Sequence, residues 1–243
     1  MPRSGDVKVA GANQLNRLYF RKAYETGIHG WGVEKPSKYA VAYLRRVYRS
    51  RDQNSQVMLD LGVGEGRHSI AAAKIGFKVI GADYEPLALT RARKFIKKSG
   101  VGQNIRLLKA DALQLPFRKE SFDVVLDYGC LHHQRKPNWP RYLRNILKVL
   151  RPGGHLVLCT FTRNFELFGP EGLKTERKWH MSFGSYRRWF TRSDIRSLFG
   201  NFFEILEIRD DPRDGKGFLF ALLRKKEAPG ANAPLSRSDR RKK

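Results

Sequence analysis

Short apolar runs alternate with amphipathic segments along most of the chain, and this alternation predicts the fold class. Five apolar runs have the length of buried strands, at 56–61, 78–82, 104–109, 122–126 and 155–161. Helical patterns occupy 67–75, 86–98, 139–150 and 191–199, and two further strand-like runs follow at 202–208 and 217–223. Strands that alternate with helices at this spacing form βαβ units. We therefore expect an α/β fold with a doubly wound, seven-stranded, mainly parallel sheet and helices on both faces.

The two ends of the chain differ in composition from this region. Residues 1–55 are basic and aromatic, and we expect them to form a helical lid over the domain of residues 56–226. Residues 227–243 are rich in Pro, Ala, Ser and Arg and end on four basic residues. Such a segment has too little apolar content to order itself, which predicts a disordered basic tail.

Composition narrows the class of protein. The chain has 243 residues, and 41% of them are hydrophobic, which is ordinary for a globular protein. No apolar run approaches the roughly 18–20 residues needed to cross a bilayer, and no apolar signal core follows the first methionine. The two cysteines form no disulfide framework, and no Cys/His spacing predicts a metal site. We expect a cytoplasmic protein without a membrane span.

Charge is the unusual quantity. The chain carries 48 basic and 23 acidic residues, a net charge of +25. An excess of this size favours contact with RNA or another polyanion, whether or not that polyanion is a substrate. In the helix predicted at 139–150 and just beyond it, four basic side chains share one face: Arg141, Arg144, Lys148 and Arg151. A solvated helix surface is the alternative explanation of that stripe.

Carboxylates follow or end four of the predicted parallel strands: Asp60, Asp83, Asp111 and Asp127. The carboxyl ends of parallel strands share one edge of the sheet, and ligands of such sheets bind at that edge. Because basic residues outnumber acidic ones twofold, this gathering indicates a site. The alternative is that each Asp caps the helix or turn that follows it.

The loop after the first strand indicates the kind of ligand. Gly62, Gly64 and Gly66 permit a tight turn and close approach of a ligand to the backbone. A dinucleotide-binding loop would have glycine where Arg67 stands, and Glu65 adds a negative charge. A pyrophosphate is therefore disfavoured, and a nucleoside with a cationic substituent fits better.

Five segments form an ordered set of motifs: DLGVGEG at 60–66, GADY at 81–84, ADALQLPF at 110–117, FDVVLD at 122–127 and LKVLRPGG at 147–154. Taken together, they resemble the motifs of class I S-adenosylmethionine (SAM)-dependent methyltransferases. Within that class the chain is similar to the type 11 group, with tellurite-resistance and thiopurine methyltransferase-like proteins. The resemblance implies a Rossmann-like sheet, SAM as cofactor and a methyltransferase domain at 56–226.

The resemblance also implies roles for the residues of these motifs. Asp60 and the backbone of Gly62, Gly64 and Gly66 would hold the methionine part of SAM with its ammonium group. Asp127, or its carbonyl group, would lie near the same end of the cofactor.

The nucleoside part of SAM would be held by the next two motifs. Asp83 would accept hydrogen bonds from both ribose hydroxyls, since a carboxylate offers two acceptor oxygens. Tyr84 would pack along the adenine. Asp111 would accept from the adenine amino group, and the backbone N–H of Ala112 would meet a ring nitrogen.

Candidate catalytic residues follow the fourth strand. His132 and His133 are candidate general bases, because histidine titrates near neutral pH. A structural contact under the cofactor is the alternative for both. Tyr128 is a candidate wall of the acceptor pocket. Cys130 lacks a preceding proline of the kind found beside cysteine nucleophiles that attack pyrimidines, so we expect a small buried hydrophobe.

Aromatic residues outside these motifs suggest a cover for the site. Trp31 and the stretch from Trp179 to Phe190, which includes Phe183, either close over the methyl group or belong to the core. Three functions remain open. They are methylation of a small-molecule acceptor, methylation of RNA through the basic surface, and binding of SAM or nucleic acid by a protein without activity.

Overall fold

The computed structural model describes residues 9–29, 31, 35–49, 56–165, 178–182, 185–210 and 217–227. Its helices are α1 (Val9–Thr26), α2 (Lys38–Arg49), α3 (Arg67–Ile75), α4 (Pro86–Lys98), α5 (Trp139–Val149) and α6 (Arg192–Phe199). Its strands are β1 (Val57–Leu61), β2 (Lys78–Asp83), β3 (Ile105–Lys109), β4 (Phe122–Tyr128), β5 (Leu150–Phe161), β6 (Trp179–Ser182), β7 (Ser185–Arg188), β8 (Phe203–Asp210) and β9 (Phe218–Lys225). Three short 3-10 turns lie at Gly102–Asn104, Leu131–His133 and Lys136–Asn138.

Seven strands form one sheet in the order β3-β2-β1-β4-β5-β9-β8. The first five strands in the chain run parallel, and β9 is antiparallel to both β5 and β8. The chain order reverses between β1 and β4, which opens a crevice at the carboxyl ends of these two strands. The predicted seven-stranded, mainly parallel, Rossmann-like sheet is confirmed.

Helices cover both faces of this sheet. On one face, Phe122 and Val125 of β4 pack with α5 and α6 around the fully buried Tyr142. On the other face, Met58 and Val124 pack with α2, α3 and α4. The central strands are buried on both sides, which is why their sequences are nearly continuous apolar runs.

Local chemistry fixes where the helices begin. The Glu85 side chain accepts a hydrogen bond from the Leu87 N–H, and Pro86 occupies the first turn of α4. Helix α6 starts with a capping box between Thr191 and Asp194. Both starts agree with the sequence prediction to within a residue.

The segment between α5 and β5 differs from the prediction. We predicted a helix to residue 150 and a strand from residue 155, but α5 ends at Val149 and β5 already begins at Leu150. The pairing of β4 with β5 shifts register between Phe122 and Val124, and such a bulge lets one strand continue past an irregular stretch. Arg151 is therefore a strand residue and not part of a basic helix face. Its Nη1 lies 2.7 Å from Asp123 Oδ2.

The aromatic stretch after residue 178 contains an unpredicted hairpin. Strands β6 and β7 pair antiparallel as a separate two-stranded sheet. Phe183 and residues 228–243 of the predicted tail lie outside the described residues, so expectations about them stay predictions, as does the division into domains. Among the described helices, none has the length and apolarity to cross a membrane.

Candidate functional site

Three buried carboxylates meet where β1, β2 and β4 end. Asp60, Asp83 and Asp127 are 2%, 9% and 0% exposed. The pKa of each is raised to about 6, mainly by burial, and the charges of Asp83 and Asp127 contribute to the raised pKa of Asp60. In the described part of the chain, no Lys or Arg forms an ion pair with any of the three. The edge therefore favours a cationic ligand or one that donates hydrogen bonds.

The loop after β1 presents bare backbone beside these acids. Gly62, Gly64 and Gly66 have φ values of 74°, 55° and 86°, a region that strongly favours glycine. The Gly64 N–H donates to Asp83 Oδ2 at 3.0 Å. A Cβ on Gly64 would lie 3.2 Å from the Tyr24 hydroxyl oxygen. The loop is thus narrow, and a side chain at this position would fill the space beside it.

Asp60 and Asp83 keep acceptor capacity for a ligand. Asp83 Oδ1 accepts from the Glu85 N–H at 2.9 Å, so each of its oxygens takes one backbone donor. Asp60 Oδ2 accepts from the Ser69 hydroxyl at 2.6 Å. A carboxylate has about four lone-pair sites, so both groups can accept further hydrogen bonds. Buried acids that have no ion pair with a described Lys or Arg, beside a glycine loop, suit the hydroxyl and ammonium groups of SAM.

Asp127 is used differently. Its oxygens accept from the Cys130 N–H at 2.6 Å and the Leu131 N–H at 2.9 Å. The Tyr142 hydroxyl also donates to this carboxylate. The side chain therefore holds the turn that follows β4. This is the capping role that the sequence analysis gave as the alternative for each Asp.

Asp111 and Tyr84 lie under helix α1. Asp111 Oδ1 accepts from the Leu113 N–H at 2.8 Å, and Oδ2 lies 2.7 Å from Arg17 Nη2. The same guanidinium stands 5.2 Å from the centre of the Tyr84 ring. The Ala112 carbonyl accepts from Asn145 Nδ2 at 3.3 Å. Helix α1 thus covers the part of the site that the resemblance assigns to adenine.

The segment after α1 reaches the glycine loop. Trp31 Nε1 donates to the Tyr24 hydroxyl at 3.0 Å, and the Trp31 ring stacks on His29 at 4.7 Å. The His29 ring approaches Glu65 of the loop, with Nε2 and Oε1 3.5 Å apart. These contacts place Trp31 near the loop, where a lid residue was expected, whereas Trp189 is core in the cluster around Phe161.

The two adjacent histidines have different environments. His132 is 3% exposed, stacks on Phe161 at 3.6 Å and accepts from the Phe161 N–H at Nδ1. Burial lowers its pKa well below the ordinary value. Because Nδ1 already accepts a backbone hydrogen bond, His132 supports the end of β5.

His133 is oriented in the opposite way. Its Nδ1 lies 2.9 Å from the Tyr186 carbonyl oxygen, which can only accept, so Nδ1 carries the proton. The lone pair of the neutral ring is therefore on Nε2, for which no described residue is a hydrogen-bond partner. Burial lowers the pKa of His133 to about 4.

Tyr128 and Cys130 do not join this arrangement as reactive groups. The Tyr128 ring packs against His68 at 4.2 Å and the Arg67 guanidinium at 5.2 Å, within the core beneath α3. A pocket-wall role for Tyr128 stays a prediction. Burial raises the thiol pKa of Cys130 well above its usual value, which agrees with an unreactive side chain.

Two buried polar residues went unnoticed in the sequence. Asn16 Nδ2 donates to the His133 carbonyl at 3.0 Å, and its Oδ1 accepts from the Tyr186 N–H at 2.7 Å. Asn16 thereby joins α1, the turn after β4, and β7. Arg187 of β7 is 3% exposed beside the same turn. Neither residue has a distinctive local signal, because other polar residues such as Gln14, Arg17 and Arg188 stand beside them.

Comparison with known proteins agrees with this geometry. The family model described as a methyltransferase domain matches residues 58–154. The ubiquinone biosynthesis O-methyltransferase of Cereibacter sphaeroides is 30% identical over 168 residues, covering 67% of this chain and 63% of that protein. Norajmaline N-methyltransferase of Rauvolfia serpentina is 26% identical over 133 residues, covering 54% of this chain and 45% of the relative. The chain therefore matches only 45% to 63% of the length of these two relatives.

A solved structure has the same fold over nearly the whole chain. The 1,6-didemethyltoxoflavin-N1-methyltransferase of Burkholderia thailandensis superposes with a TM-score of 0.72 at 23% identity, covering 93% of this chain and 94% of that one. That structure holds 1,6-didemethyltoxoflavin and S-adenosylhomocysteine. Strand order, glycine loop, ordered motifs and family match all agree, and the chain belongs to the class I SAM-dependent methyltransferases.

Proposed function

We propose that this protein transfers a methyl group from SAM to a small organic acceptor. The observation that carries the proposal is the pair Asp60 and Asp83, which are buried with no ion-paired Lys or Arg among the described residues and lie beside a loop of three glycines with positive φ. A sulfonium-bearing nucleoside with an ammonium group and two ribose hydroxyls matches that set of acceptors. Bound SAM supplies a methyl group already activated on sulfur, so the protein mainly positions the acceptor.

Each motif residue then has a binding task. Asp60 and the glycine loop hold the ammonium end, and the two oxygens of Asp83 accept from the ribose hydroxyls. Tyr84 and Asp111 lie on the adenine side, where Arg17 already pairs with Asp111. Asp127 acts indirectly, because it fixes the turn that carries the histidines.

His133 is the candidate that faces the acceptor. The Tyr186 carbonyl fixes the proton on Nδ1, so Nε2 can accept a hydrogen bond from the acceptor. We assign His132 a structural task, since its Nδ1 accepts from the Phe161 backbone. Whether His133 also removes a proton depends on the acidity of the acceptor, because a group with a pKa of about 4 is a weak base.

Methylation of RNA is not part of this proposal. Arg151 of the predicted basic stripe pairs with Asp123, and three further basic residues near the end of the described chain are also engaged within the domain. Arg224 pairs with Glu204, Lys225 donates to the carbonyls of Leu147 and Leu150, and Lys226 donates to the Gly200 carbonyl. By their names, the relatives described above act on small molecules. A cytoplasmic location stays a prediction.

Two measurements test the proposal. Calorimetric titration with SAM and with S-adenosylhomocysteine is expected to show one site per chain. Radiolabelled methyl transfer from SAM into a cell extract, fractionated into small molecules, RNA and protein, is expected to label the small-molecule fraction. Label confined to RNA or protein would overturn the assignment of the acceptor, and absence of SAM binding would overturn the function itself.

A further inference from the structure

Among the described residues, Arg187 is a buried cation without an anionic partner. It is 3% exposed, and among the described residues no carboxylate forms an ion pair with it. Its Nη2 donates to the Tyr19 hydroxyl at 2.7 Å, and the guanidinium stands 5.2 Å from the centre of the Tyr19 ring. Nη1 is buried and has no hydrogen-bond partner in the part of the chain that the structure describes. A buried guanidinium with a free donor is costly to keep, which points to a ligand that completes it.

The free donor lies beside the turn that carries His133. Ser185 is two positions before Arg187 on β7, and so faces the same side of the strand. Its hydroxyl oxygen lies 3.3 Å from His133 Nδ1. The charge of Arg187 lowers the pKa values of His132 and His133, as expected for a group close to both. Arg187 therefore stands at the acceptor end of the site and apart from Asp60 and Asp83.

Flat rings line the same region. Phe20 of α1 meets the His133 ring edge-on at 4.9 Å. Phe161 stacks on His132 at 3.6 Å, and Phe165 stacks on Phe161 at 3.9 Å. Aromatic walls favour a planar ligand, and a guanidinium with a free N–H favours a negatively charged oxygen.

We propose that Arg187 binds an ionised oxygen on a planar acceptor, so that the substrate is a phenol or enol that reacts as its anion. This inference rests on the proposed methyltransferase function. In the transfer, a lone pair of the ionised oxygen forms the new bond to the methyl carbon while the sulfur–methyl bond breaks. The bonding pair stays on sulfur, and the acceptor's negative charge cancels the sulfonium's positive charge. No proton has to leave in that step, which agrees with the weak basicity of His133.

The charge change also explains product release. The methylated product is neutral and loses its ionic contact with Arg187. A binding pocket of this kind prefers the substrate anion to the product.

The test compares anions with neutral analogues of the same shape. The probe pairs are 4-nitrophenolate with nitrobenzene, salicylate with salicylamide, and benzoate with benzamide, each titrated by calorimetry into protein saturated with S-adenosylhomocysteine. In at least one pair, we expect the anion to bind wild-type protein at least about tenfold more tightly. If no pair shows a preference for the anion, the proposal is overturned.

Variants identify the residue responsible. Arg187→Met is expected to abolish the preference, and Arg187→Lys to retain part of it because the charge remains without the planar fork. Arg188→Met is the matched control, since the Arg188 guanidinium stacks on Trp139 and Phe190 on the other side of β7. Preference that survives in Arg187→Met refutes the assignment.

Failure of the underlying function has a separate signature. If wild-type protein does not bind S-adenosylhomocysteine, the methyltransferase proposal fails before any probe is tested. If it binds S-adenosylhomocysteine and shows no anion preference, only the inference about Arg187 fails. Unchanged S-adenosylhomocysteine affinity in Arg187→Met shows that this variant is folded.

Discussion

Replacing Asp83 by Asn isolates the charge of the residue that we place on the ribose. Asn has nearly the same shape, but it offers one acceptor oxygen where the carboxylate has two. In the folded protein the two oxygens of Asp83 accept from the Gly64 and Glu85 N–H groups. One of these donors would meet the amide NH₂ of Asn and lose its acceptor.

The effects of this change on folding and on binding differ in size. An unsatisfied buried N–H costs about 1–3 kcal/mol. Removing the buried charge offsets part of that cost, since a pKa raised to about 6 shows that burial disfavours the ionised form. The free energy of unfolding at neutral pH should therefore change by less than about 2 kcal/mol. Binding loses about 1.5–3 kcal/mol of charge-assisted hydrogen bonding, which is about a 10- to 100-fold weaker affinity for SAM.

Calorimetric titration with SAM measures the affinity, and urea unfolding checks the stability. Asp123→Asn is the matched control, because Asp123 is also a buried carboxylate, 6% exposed, but pairs with Arg151 and the Val57 N–H away from the glycine loop. That variant should lose stability and keep its affinity for SAM. If Asp83→Asn binds SAM within threefold of wild type, Asp83 does not hold the ribose and the reasoning fails.

Three further outcomes are expected. Because the pKa values of Asp60 and Asp83 are raised to about 6, both acids take up protons as the pH falls through 6. SAM affinity should therefore decrease below pH 6, and binding near that pH should release protons, seen as a calorimetric enthalpy that varies with the buffer. Gly64→Ala should weaken SAM binding, since φ is 55° and the new methyl group would lie 3.2 Å from the Tyr24 hydroxyl. Asn16→Ala should lower the free energy of unfolding by about 1–3 kcal/mol in urea titrations, because two buried backbone groups lose their partner.

Each of these expectations has a control within the chain. Proton release should shrink in Asp83→Asn, and release that stays equal in this variant would exclude Asp83 as a source. Gly100→Ala has a similar φ of 75° with no atom within 4 Å of the new Cβ, so it should cost stability without changing SAM affinity. Equal losses of affinity in both glycine variants would contradict a role for the loop. Gln14→Ala on the exposed side of α1 should leave stability unchanged, and a loss equal to that of Asn16→Ala would argue against the hydrogen bonds of Asn16.

The sequence by itself determined the sheet, its helices and the edge at which acids gather. Hydrophobic periodicity and turn residues are local, so α3 and α4 were predicted with their exact bounds. The same pattern placed Asp60 and Asp83 at strand ends, and parallel strands bring such ends together. It also missed the hairpin of β6 and β7, because strands of four residues leave little periodic signal.

Only the tertiary structure decided which of these residues are available to a ligand. Asp127 resembles Asp83 in sequence, but its oxygens are taken by the turn after β4 and by Tyr142. His132 and His133 are neighbours whose Nδ1 atoms have opposite hydrogen-bond roles. Nδ1 of His132 accepts from the Phe161 N–H, whereas Nδ1 of His133 donates to the Tyr186 carbonyl. Arg187 became a candidate for binding the acceptor only in the folded structure, where its side chain is buried. Hydrogen-bond partners such as Asn16 and Tyr186 lie 170 residues apart, so their pairing depends on how distant segments pack and not on local pattern.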